Sequence, residues 1–138
     1  MNNDKAQPLV GIMLTALSAL LITGVLTFAG PCAMHGDGSM GSCYWAARAV
    51  LGTGIVLVVI ALVRVFERDE GERRGLSFAA ACLGVLVACM PGVIIELCAA
   101  QTMRCHVVMH PFVIFLGVII ALVGGTDLVL RLRAIFKR

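Results

Sequence analysis

Charge is scarce in this sequence. Only 14% of its 138 residues are Asp, Glu, Lys or Arg, and these are bunched. With 60% of residues hydrophobic and a mean hydropathy of +1.00, the chain exceeds what a soluble domain carries. The small net charge of +3 argues against a nucleic-acid partner. No glycine-rich loop suited to phosphate is present, and no Cys-x-x-Cys pair occurs. The long apolar runs contain almost no ionisable groups, so a proton or ion pathway through them is not indicated. These absences favour a non-catalytic role.

What the chain has instead is four apolar runs, at about residues 9–29, 44–66, 76–95 and 111–130. Each is roughly 20 residues, enough at 1.5 Å per residue to cross a hydrocarbon core of about 30 Å. A cleaved leader is the weaker reading of the first run, which is longer than a signal core and has a thin basic start. Tyr44 and Trp45 open the second run, where amphipathic rings favour the headgroup level. The third carries Ala80, Gly84 and Ala88, a small-residue stripe of the kind that lets helices approach closely in lipid. Pro91 is expected to kink or loosen its end. Pro111 suits the first turn of the fourth. Asp127 is expected to pair with Arg131 at i, i+4. Between the second and third runs, residues 67–75 read as a charged turn.

Nine of the eleven Lys and Arg residues lie on one side of this arrangement: Lys5, Arg64, Arg68, Arg73, Arg74, Arg131, Arg133, Lys137 and Arg138. Arg48 and Arg104 lie on the other. The excess of positive charge on cytoplasmic segments then places both termini and the 67–75 turn inside, in an inner or plasma membrane. The expected fold is all-α: one domain over residues 1–138, a transmembrane antiparallel four-helix bundle with disulfide-bearing outer loops.

Those two outer loops hold the remaining chemistry. Four of the six cysteines, Cys32, Cys43, Cys98 and Cys105, lie there, as do all three histidines. An even number of cysteines on an oxidising side reads first as two disulfides, with three pairings open. Thiolate, thioether and imidazole together also suit Cu(I), or haem through His and Met. His35, Met103, Cys105, His106, Met109 and His110 are the candidate ligands. Cys82 and Cys89, inside the third run, read as small apolar packing residues.

Two resemblances follow from these residues. Four spans with a cysteine pair in each outer loop resemble the DsbB and vitamin-K-epoxide-reductase type of quinone-linked thiol oxidase. That likeness implies a quinone cofactor near an arginine, for which Arg48 stands at a span entrance. The spacings of 11 and 7 depart from the closely spaced pair of those enzymes. The layout Pro31-Cys32, then Met40 to Cys43-Tyr44-Trp45-Ala46 leading into Ala49 and Gly52-Thr53-Gly54, resembles the bacterial domain-of-unknown-function family 4418. Tyr44 stands where that family is expected to carry a histidine, while Met103-Arg104-Cys105 keeps its tighter Met–Cys spacing. This second resemblance implies a small four-span membrane protein, an accessory or structural subunit of a membrane complex of ABC-transport type. The expected partners are lipid, other membrane subunits or further copies of the chain.

Overall fold

The computed structural model describes residues 3–30, 41–96 and 105–136, with side chains from residue 8 onward in the first segment and from 106 in the last. All of the regular structure in these segments is helical. Helix α1 is Asn3–Thr27, α2 is Ser42–Phe66, α3 is Glu70–Cys89 and α4 is His110–Phe136, the last preceded by a π-helical turn over Cys105–Met109. Three stretches, Pro8–Thr27, Ser42–Phe66 and His106–Phe136, are long and apolar enough to cross a membrane by length and composition. Four crossings were expected. Helix α3 falls short because its first turns are charged, and its apolar part, 76–89, rises only about 21 Å.

The charged segment 67–75 forms little of a turn. Asp69 caps α3, its Oδ1 accepting from the backbone N–H of Gly71 at 2.7 Å and Glu72 at 3.4 Å. Glu70 and Glu72 then occupy the first turn, where carboxylates oppose the positive end of the helix dipole. Helix therefore begins at Glu70 and absorbs most of the segment. The other end of α3 also differs from expectation, stopping at Cys89 rather than continuing to residue 95. Pro91 cannot donate to the ladder and its ring crowds the preceding turn. Gly92 then takes a left-handed backbone, φ 90°, which favours glycine. The turn closes on itself, Ile94 N–H donating to Cys89 O at 3.1 Å and Ile95 N–H to Met90 O at 3.0 Å.

Each helix packs antiparallel against its neighbours in the order α1, α2, α3, α4, with α4 returning to α1. Gly11 lies beside Val65, and Gly54 beside Ile22. Arg64 reaches Ser77, and Thr53 reaches Met90. The ring of Phe112 lies across Gly24, where any Cβ would fall 2.2 Å from Cζ, and meets Phe28 edge-on at 4.9 Å. The α3–α4 contact is the tightest. A Cβ on Gly84 would sit 2.6 Å from the backbone N of Ala121, and one on Gly117 would sit 2.7 Å from that of Ala88. Gly124 meets Ser77 and Ala81 in the same way. Of the predicted stripe, Gly84 and Ala88 meet α4 at this seam and Ala80 is buried.

The core between the helices is built from Leu14, Leu21, Val50, Leu57, Val87, Val113 and Ile120. Large apolar side chains also cover the outside, among them Leu26, Phe66, Phe78, Phe115 and Leu130. Hydroxyls along α1 bond within their own helix, Thr15 to Gly11 O at 2.9 Å and Ser18 to Leu14 O at 2.7 Å. That is how such groups are satisfied where water is excluded.

Candidate functional site

Polar side chains gather at the two opposite ends of the helices. At the charged end, α2 places Arg64 only two residues before its last. The residue is 1% exposed and points between the helices. Its Nη2 donates to Asp127 Oδ2 of α4 at 2.7 Å, and its Nε donates to Ser77 Oγ of α3 at 2.9 Å. The Ser77 hydroxyl lies 2.7 Å from the same Asp127 oxygen, with the Arg73 carbonyl 2.9 Å away as a second acceptor. Arg131 closes the cluster through Nε, donating to Asp127 Oδ2 at 2.9 Å. Its Nη1 meets the half-exposed Glu70 at 2.5 Å.

Asp127 Oδ2 is thus ringed by donors from three helices. The fourth helix contributes by omission. Gly11 of α1 carries no side chain, and a Cβ there would lie 2.6 Å from Val65 Cγ2 and 3.5 Å from Arg64 Nη1. That Nη1 is buried without a hydrogen-bond acceptor. Arg64 and Arg131 both meet Asp127, while Arg131 and Arg73 both meet Glu70. A carboxylate held by this many donors is a clamp and not an available base. The i, i+4 pairing of Asp127 with Arg131 is present. The partners that sequence reasoning missed are Arg64 and Ser77, which are 63 and 50 residues distant from Asp127.

At the other end, the π-helical turn sets His106 and His110 on successive turns, ring centroids 6.4 Å apart. Gly92 packs against His110, whose Nε2 would be 3.0 Å from a Cβ at that position. Met109, between the two histidines, is fully buried in the core. His35 and Met103 lie outside the described residues, as does the Cys105 side chain. Among the described residues, no group of three or more His, Cys, Asp or Glu is placed to hold a metal ion.

Of the four loop cysteines, the Cys43 side chain alone is described, and it is buried at the start of α2. Cys32, Cys98 and the Cys105 thiol lie outside the described residues, and no disulfide occurs among those described. Cys82 and Cys89 carry free thiols, Cys82 on the exposed face of α3. Also at this end, Arg48 folds back one turn onto Tyr44. Its Nε and Nη2 donate to the phenol oxygen at 3.1 and 2.9 Å, and the guanidinium carbon sits 5.2 Å from the ring centroid.

Helices of bilayer length, apolar outside as well as inside, with their ionisable groups paired at one end, define a helical membrane protein. The chain belongs to the family described as Domain of unknown function (DUF4418), which it matches over residues 14–130. The resemblance carried by Pro31-Cys32 and by Met40 to Ala46 is therefore a true family membership. No curated protein and no solved structure matches the chain.

Proposed function

We propose that the chain is a four-span accessory or structural subunit of a membrane complex, of the ABC-transport type that the family layout suggests. On this reading α3 crosses the bilayer alongside α4, completing a four-helix bundle. Both termini and the 67–75 segment face the cytoplasm. The two loops form an outer cap in which Cys32, Cys43, Cys98 and Cys105 pair as disulfides. One observation carries the reading: the charged side chains between the helices bind one another. Arg64, Ser77 and Arg131 all converge on Asp127. A transporter or pump needs polar groups free to take up and release a substrate, ion or proton. A clamp that fixes α2, α3 and α4 suits a body whose work is to be held by others.

The test is purification of the tagged chain from its own membranes in mild detergent, followed by cross-linking. A defined complex with a multi-span permease in fixed stoichiometry is expected. A chain that runs alone under every condition would count against the subunit reading.

The adjacency of His106 and His110 favours a second reading, in which the outer loops hold Cu(I) or haem. Stoichiometric metal, lost on changing both histidines to alanine, would establish it in place of a purely structural cap.

A further inference from the structure

The arginines at the two ends are treated differently. Arg64 and Arg131 both meet the carboxylate of Asp127. Arg48 has no carboxylate partner among the described residues. Its partner is a neutral phenol, which takes one N–H from Nε and one from Nη2. A guanidinium has five N–H groups, so three remain. A cation at this place in an apolar helix is costly unless its charge reaches the headgroup layer or meets an anion.

Beside it is room for hydrocarbon. Helices α1 and α2 part to leave a groove of about 240 Å³, walled by Val25, Leu26, Ala47 and Leu51, with Tyr44 and Arg48 among its lining. Trp45, strongly exposed and next in sequence, stacks edge-on to Tyr44 at 5.7 Å. Rings of this kind favour the level of the headgroups. The groove thus joins an apolar trough to a cation with no counter-charge among the described residues, at an end that the aromatic rings assign to the headgroup level.

We infer that this groove binds one anionic phospholipid, its phosphodiester on Arg48 and the upper part of an acyl chain against Val25, Leu26 and Leu51. A quinone would offer Arg48 a hydrogen-bond acceptor but not a charge, and the unbalanced charge is what favours the phosphate. The inference rests on the reading that this end meets a bilayer surface.

Native mass spectrometry tests it. The full-length protein is released from nanodiscs containing phosphatidylglycerol and phosphatidylcholine with identical chains. One retained phosphatidylglycerol is expected to depend on Arg48, with Arg48→Gln lowering its occupancy about tenfold, the scale of one charge-assisted contact. Leu51→Trp, which fills the trough and leaves the cation, should lower the same occupancy. Phosphatidylglycerol retention unchanged by both substitutions overturns the site, as does retention of added quinone in its place. If the chain leaves the membrane fraction without detergent, the membrane reading itself falls. If it stays and ignores the lipid, only the groove does.

Discussion

The two ends of this molecule solve the problem of polar groups in an apolar chain in opposite ways. At the charged end, Arg64 is buried and meets both a carboxylate and a hydroxyl from other helices. At the loop end, Arg48 is exposed and, among the described residues, bonds to Tyr44 of its own helix. The first arrangement joins helices and the second leaves them apart, with a groove between. The same side chain therefore serves to close one end and to leave the other open to the surroundings. The difference lies in what the neighbouring helix supplies, Asp127 in one case and Val25 and Leu26 in the other.

Substitution at the charged end is expected to have the largest effect. Asp127→Ala strands Arg64 among the helices, and removing one partner of a buried pair costs about 3–5 kcal/mol. Unfolding in detergent, followed by circular dichroism, should show that loss. Combining Arg64→Met with Asp127→Leu should recover most of it, since an apolar pair of similar volume replaces a buried ion pair well. Arg48→Gln should leave stability within about 0.5 kcal/mol, as for surface changes generally. If Asp127→Ala proved as mild as Arg48→Gln, the contrast between the ends would fail.

Glycine gives a finer comparison, between the seam and the outer face of the bundle. Gly84→Ala forces a methyl against the backbone of Ala121 and should cost about 1–3 kcal/mol, the range for overpacking. A Cβ at Gly52 meets nothing within 4 Å. There Gly52→Ala should stabilise the helix by about 0.5–1 kcal/mol. The same unfolding measurement reads both, and equal signs would show that the seam is looser than its distances.

The smallest effect concerns pH at the α2–α3 connection. The backbone N–H groups of Asp69 and then Arg68 hold the Glu67 carboxyl below its ordinary value of 4.5. A hydrogen bond shared with Glu67, and that residue's charge, push Glu72 above the same value. Glu67 therefore contributes stability above pH 4.5 that is lost as pH falls through its lowered pKa. Glu72 contributes stability below 4.5 that is lost as pH rises through its raised pKa. The two oppose each other, and both side chains face solvent. In a melting profile across the carboxylate range the contributions of Glu67 and Glu72 should nearly cancel in the native chain. With Glu72→Gln the fall on acidification should steepen.

Much of this fold could be read from apolar runs and their punctuation. The clamp could not, and the reason is physical. Spacing arguments see residues three or four apart on one helix, so Asp127 with Arg131 was visible. Arg64 looks like a basic residue ending a span, which is a topology signal. Yet Val63 and Val65 flank it, and the charged run begins only at Glu67. A guanidinium enclosed by apolar neighbours needs an anion from elsewhere in the fold, and that was the available clue. The seam was partly legible, because glycine and alanine recur at helical spacing. The early end of α3 was signalled by Pro91 but required Gly92 to complete the reversal.

The shortness of α3 bears on the surrounding lipid as well as on the protein. Its apolar stretch rises about 21 Å against a hydrocarbon core of about 30 Å, while α2 runs unbroken from Ser42 to Phe66. A bilayer adapts to a short span by thinning around it. On the proposed four-span reading, the film around this molecule would be thicker beside α2 and pinched beside α3. A dimple on one flank is an orienting force that acts before any contact is made. Neighbours with their own short spans would be drawn to that side, because sharing one pinch deforms less lipid than making two.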